Sequence, residues 1–142
     1  GSDHAGYHLK EFVKSYLEDC RIPCLDFGTE SDQSTDYPDF AIKVAKAVAG
    51  GVYRCGILIC HSGIGMSMVA NKVKGIRAAL CCNEEMARLS REHNDANVLT
   101  MGAHFIPPET AKRIVRIFLE TGFAVEDRHH RRVRKIHQST GR

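Results

Sequence analysis

Apolar residues recur along this chain in two alternating rhythms, one spaced by three and four positions, the other continuous over short runs. Leu9, Phe12, Val13, Tyr16, Leu17 and Cys20 follow the first rhythm and predict a helix with one buried face. Pro23 to Phe27 reads as a short strand closed by Gly28, and the polar loop Thr29 to Asp36 leads to Tyr37-Pro38. The helix that starts there is buried through Phe40, Val44 and Val48 and ends at Gly50-Gly51. Cys55 to Cys60 is a continuous apolar run, as expected of a strand covered on both faces. A helix from about Gly65 to Val73 and a strand from Ile76 to Cys81 follow. Asn83 can cap a helix running to about His93, and Ala96 to Met101 is another strand. Pro107-Pro108 opens a helix carrying Ile114, Val115, Phe118 and Leu119 on one side. A basic helix is expected from about Arg128.

Strands and helices that alternate with short connections predict an α/β fold, a parallel sheet of about five strands with helices on both faces. No repeat, low-complexity stretch or linker divides the chain, so residues 1–142 read as one domain. Gly1-Ser2-Asp3-His4 looks like the end of a strand whose earlier residues are absent, and an incomplete N-terminal strand is expected.

Composition narrows the picture a little. With 43% hydrophobic and 26% charged residues the chain is expected to fold, and no apolar run approaches a membrane span. The formal net charge of +3 does not call for a polyanionic partner, so neither nucleic acid nor membrane is expected. The six cysteines sit mostly in or beside apolar runs and none forms a Cys-x-x-Cys pair. Reduced thiols in the cytoplasm are the better reading. Convergence of Cys60, His61, His93 and His104 on a metal is a minor alternative, and no metal is expected.

The most informative stretch runs from Gly56 to Leu80. Cys60 stands where a buried strand ends, at the sheet edge that opens into the ligand crevice of an α/β fold. Ser62-Gly63-Ile64-Gly65 follows, a turn of small residues at the start of a helix. Helix N-termini favour thiolate over thiol, and the same amides can hold an enolate-type oxygen, where losing one donor costs roughly 100- to 1,000-fold in rate. The plainer readings are a small buried side chain, or a phosphate-binding loop without catalysis. A Walker loop is excluded, because no Gly-Lys-Ser/Thr follows at the required spacing.

Asp3-His4-Ala5-Gly6 lies between the presumed first strand and the first helix, so Asp3 either caps that helix or faces a polar substrate. His93-Asn94-Asp95 falls in the loop before a strand, and Tyr37 opens a helix after a loop. Arg128-His129-His130-Arg131-Arg132-Val133-Arg134-Lys135 is the strongest charge cluster, and on a helix Arg128, Arg132 and Lys135 share a face. It reads as a solvated basic tail, or as two arginines that fork onto one phosphate. Nucleic-acid binding lacks both a motif and interleaved aromatics.

Taken together, Ser2-Asp3-His4-Ala5-Gly6, Asp36-Tyr37-Pro38-Asp39, the Cys60 to Leu80 block, Leu89 to Asn97 and Arg128-His129-x-x-Arg132 resemble the ribose-5-phosphate isomerase B family. That family includes galactose-6-phosphate isomerase subunits, and the match covers essentially the whole chain. The resemblance implies a Rossmann-like three-layer fold, homodimers or tetramers of that dimer, and aldose–ketose isomerisation of a sugar phosphate without metal or other cofactor. It implies that the active site is shared between two subunits. By this resemblance Cys60 is the base, amides of residues 61 to 65 (His61, Gly63, Ile64 and Gly65 among them) hold the enediolate, and Asp3, His93 and Ser62 assist ring opening and proton shuttling. His4, Arg128 and Arg132 bind phosphate, while Tyr37 and Asn94 line the sugar site. Met66 stands where some relatives carry a glutamate base, which favours the cysteine. The chain departs from the family at His61 (usually glycine), at His104 (often arginine) and at Glu126-Asp127 (often Gly-Gly). These changes bear on the substrate more than on the reaction, with ribose 5-phosphate first and allose, galactose or tetrulose phosphates next. A non-catalytic sugar-phosphate binder is the other class.

Overall fold

A computed structural model describes residues 1–141. A 3-10 turn at His4–Gly6 leads into helix α1 (Tyr7–Asp19), and α2 (Tyr37–Ala49) follows the polar loop. Strand β1 (Gly56–Cys60), helix α3 (Ile64–Ala70), strand β2 (Ala78–Leu80), helix α4 (Glu84–Asn94) and strand β3 (Val98–Gly102) then alternate. Helices α5 (Pro108–Glu120) and α6 (Asp127–Thr140) complete the chain. Each expected helix is present within a few residues of its expected bounds. Asn83 caps α4 as its side chain predicts, its Oδ1 accepting from the Met86 amide at 2.8 Å.

The three strands are parallel and lie in the order β1-β3-β2. About five were expected, so the sheet is smaller than the sequence suggests. The difference lies at one edge. Pro23 to Phe27 forms no strand, and the backbone pairs with Ser2 just beyond it, at Gly28 and Thr29. The Ser2 amide donates to Gly28 O and the Thr29 amide donates to Ser2 O. On its other side Ser2 bridges Ile59 in parallel, with the Ile59 amide donating to Gly1 O.

Helices cover both faces of the sheet, so three layers are present. Ile59, Leu99 and Met101 pack under α1, α4 and α5 with Leu9, Val13, Ala87, Ile114 and Phe118. Leu58, Cys60 and Val98 pack under α2 and α3 with Ala41, Val44, Ala45 and Met66. Alternate side chains of one strand thus enter opposite apolar layers, which is why these strands read as continuous apolar runs. Among the described residues no helix is long and apolar enough to cross a membrane.

Lys10 places a charge inside this frame. Lys10, 4% exposed, donates its Nζ to Asp26 Oδ2 and Glu11 Oε1. Lys14 reaches the same Asp26 oxygen at 2.8 Å, and the Gly28 amide donates to Asp26 Oδ1 at 2.9 Å. Burial alone would raise the Asp26 carboxyl, but the hydrogen bonds from Lys10, Lys14 and Gly28 outweigh it and hold the pKa at about 2. Asp26→Ala should therefore cost roughly 2–3 kcal/mol at neutral pH in urea unfolding, somewhat less than loss of a partner from a fully buried pair. The folded carboxyl lies below its unfolded value of about 3.9. Its contribution is present above about pH 4 and lost as pH falls through about 2, where wild type and variant should converge.

Candidate active site

β1 carries Cys60 to the carboxyl edge of the sheet, level with Gly102 of β3. The chain turns there because Gly63 takes a left-handed conformation (φ 78°) before α3 begins. A Cβ at that position would lie 2.6 Å from Leu80 Cδ1 and 2.7 Å from the Met101 carbonyl carbon. The turn presses as tightly on β3, where a Cβ on Gly102 would meet the Ser62 carbonyl oxygen at 2.6 Å. So folded, the loop aims the Gly63 amide at Cys60 Sγ, 3.1 Å away. The thiol is 5% exposed and shares the apolar layer under α2 and α3. It therefore packs as a small core side chain and also accepts a hydrogen bond that packing alone does not require.

Several of the expected residues gather beside it. The parallel pairing of Ser2 with Ile59 sets Asp3 level with Cys60. Asp3 is buried, and its Oδ1 accepts from the Gly6 amide at 3.1 Å, so the capping role is real. His4 is tied to the polar loop: the Thr35 amide donates to Nδ1 at 3.1 Å, and the His4 amide donates to Thr35 Oγ1 at 3.2 Å. That contact occupies Nδ1 and leaves Nε2 for a ligand. Tyr37 lays its ring against Gly65, where a Cβ would approach within 2.7 Å. Ser62 Oγ accepts from the Ile64 amide at 3.3 Å.

His61 and His104 close one side of this group. Their rings stack with centroids 4.6 Å apart, and Phe105 stands edge-on to both. The His104 amide donates to His61 O at 3.1 Å, so backbone pairing just past β1 and β3 brings the two rings together. Ile64 and Met68, one turn apart on α3, are exposed, as is Phe105 at 64%. An apolar surface is thus left uncovered next to the site.

His93, Asn94, Arg128 and Arg132 lie elsewhere in the same chain. α4 leaves the carboxyl edge of the sheet and returns to the opposite edge before β3, so its last residues, His93 and Asn94, sit near the start of that strand. Gly56, which begins β1, hydrogen-bonds there to Asn97 O. The two edges are four residues apart along β1, roughly 13 Å at about 3.3 Å per residue. The cluster Cys60, His61, His93 and His104 is therefore not brought to one point. Among the described residues no group of three or more His, Cys, Asp or Glu could hold a metal ion.

The second group has its own scaffold. Asp95 ends α4 in a left-handed conformation and is held by Arg77 (Nη2 to Oδ2, 2.8 Å) and Arg91 (Nη1 to Oδ1, 2.9 Å). Arg77 Nε also donates to Asn94 O at 2.9 Å. The His93 ring stacks on His129 of α6, centroids 4.3 Å apart. Arg128 and Arg132 are exposed on that helix, and Arg132 has no hydrogen bond or ion pair among the described residues. Thr35, Arg77, Arg91 and His129 are the supports that the sequence analysis did not assign. Only Arg91–Asp95 had a local signal, its spacing of four on a helix; the Thr35–His4 contact spans 31 residues.

Comparison with known proteins assigns the family. Residues 1–136 match the Ribose/Galactose Isomerase family. The chain is 45% identical to ribose-5-phosphate isomerase B of Escherichia coli over 136 residues, covering 96% of this chain and 91% of that protein. It is similar to the structure of ribose-5-phosphate isomerase B from Clostridium thermocellum (TM-score 0.97, 48% identity, 99% of this chain and 95% of that one). A ribose 5-phosphate isomerase structure from Thermotoga maritima is likewise similar (TM-score 0.94, 49% identity, 96% and 94% covered). With a thiol and its amide at one sheet edge and the sequence aligned over nearly its full length, the chain belongs to the ribose/galactose isomerase family and is a sugar-phosphate isomerase of the ribose-5-phosphate isomerase B type.

Proposed function

We propose that this enzyme interconverts D-ribose 5-phosphate and D-ribulose 5-phosphate through a cis-enediolate. The observation that carries the reading is the Gly63 amide directed at Cys60 Sγ at the carboxyl edge of the sheet. In the forward direction the Cys60 thiolate takes the proton from C2 of the open-chain aldose, and the C1 carbonyl becomes an enediolate oxygen. The proton returns to C1 while the O2 hydroxyl proton passes to O1, so the sugar is redistributed with nothing gained or lost. Amides of residues 61 to 65 face the charge that develops. Asp3 and His93 open the ring and move the hydroxyl proton, with Ser62 beside the ring oxygen. His4 Nε2, Arg128 and Arg132 bind the phosphate, and Tyr37 and Asn94 line the sugar.

This assignment needs two chains. His93, Asn94, Arg128 and Arg132 lie at the far sheet edge from Cys60 within one chain, so a second copy supplies them in a symmetric dimer. The exposed Ile64, Met68 and Phe105 beside the loop are suited to being covered by that copy. The six free thiols suit a reducing cytoplasm.

One observation favours a second reading of the substrate. The stacked His61–His104 pair with Phe105 forms a bulky wall next to the loop, where a glycine at 61 would leave room. The same chemistry on a tetrulose, galactose or allose phosphate would follow from a reshaped pocket.

Three outcomes test these statements. Cys60→Ala should lose exchange of the carbon-bound proton with solvent by about 1,000-fold or more; exchange at the wild-type rate would remove the thiol from the role of base. Cys60→Ala and His93→Ala chains, each inactive alone, should regain about a quarter of wild-type activity when refolded together. That fraction reflects mixed dimers holding one intact site of two, and no recovery would show that each site is built from one chain. Initial rates on ribose 5-phosphate and on four- and six-carbon sugar phosphates should rank the pentose first. A different leader would assign the His61–His104 wall to another sugar.

A further inference from the structure

The mechanism leaves one buried polar ring unused: His129, 4% exposed within the most basic segment of the chain. The buried residues of α6 are His129 and Val133, one turn apart, and the helix packs on α4. His129 lies flat on His93, centroids 4.3 Å apart and planes inclined by only 5°. At its edge Arg128 Nε donates to His129 Nε2 at 3.3 Å. A ring nitrogen that accepts carries no hydrogen, so this contact selects the neutral imidazole with its proton on Nδ1. Burial first, then the neighbouring His93 on α4 and Arg128 and Arg132 on α6, push the His129 pKa below its ordinary value, with Glu126 pulling the other way.

A flat apolar ring would stack on His93 equally well, but it would not accept from Arg128. The contact uses only Nε and leaves both terminal nitrogens of the guanidinium to fork onto an anion. It also restrains a long side chain on an exposed helix, which otherwise loses its rotamer freedom on binding. We infer that His129 is a positioning residue that joins the Arg128 guanidinium to the His93 ring, so that the phosphate site and the proton-transfer group are placed as one unit. This rests on the site reading above, in which Arg128 takes phosphate and His93 moves a proton.

Two variants of the full chain separate the parts of the claim. His129→Phe keeps a stacked ring and removes the acceptor, so KM for ribose 5-phosphate should rise about five- to tenfold with kcat within about twofold. His129→Ala removes ring and acceptor together, and kcat should also fall by about tenfold. Two folded variants with wild-type kcat and KM would overturn the inference. A second measurement needs no activity: nitrogen NMR of the wild-type histidines at about pH 8 should show His129 neutral with its proton on Nδ1. A proton on Nε2, or an imidazolium, would sink it. A wild type silent toward every sugar phosphate would instead defeat the site reading, and the NMR spectrum would then decide the role of His129 on its own.

Discussion

The register between β1 and β3 pairs Cys60 with Gly102 at one end and Gly56 with Val98 at the other, and this parallel pairing governs the chemistry. Parallel strands send all their carboxyl ends to one edge, and each connecting helix returns to the opposite edge. Residues that end strands, such as Cys60, therefore meet residues that begin helices, such as His4 and Tyr37. Residues that end helices, such as His93 and Asn94, cannot join them in the same chain. A site that uses both kinds of position must be completed across a subunit boundary, which is the physical reason the proposed dimer is part of the catalyst and not an accessory to it.

Each half of the proposed site has a different support. The thiol half is held by main chain: Gly63 and Gly102 let the loop and β3 approach so closely that the Gly63 amide reaches the sulfur. The cationic half is held by side chains, with Arg77 and Arg91 clamping Asp95 at the end of α4 and His129 backing His93. Backbone support suits a position where charge must be met without reorganisation. Side-chain support suits arginines that adjust to an incoming anion.

Most of the fold was legible in the sequence because its signals are local. The Asn83 cap, the Pro107-Pro108 start of α5 and the apolar runs of β1 and β3 each announce an element from neighbouring residues. The number of strands was not legible. Pro23 to Phe27 has strand-like composition, but a strand exists only with a partner, and Ser2 pairs just past it, with Gly28 and Thr29. For the candidate site, Cys60 with its loop was readable from the strand–turn–helix pattern, and its burial was the plain reading of that pattern; the Gly63 amide on its sulfur carried no signal. The tie between Thr35 and His4 was invisible for the same reason as the stack of His93 on His129: both join distant parts of the chain through contacts that carry no spacing signal.

The crowding around Gly63 and Gly102 divides the candidate site into parts with unequal freedom to change. At Gly63 any side chain would collide with Leu80 and with the main chain of β3, and at Gly102 with the carbonyl of Ser62. His61 and His104, by contrast, point their rings into exposed space and contact mainly each other and Phe105. On the proposed reading of the site, the outer wall is open to change without disturbing the loop, which is locked by sterics.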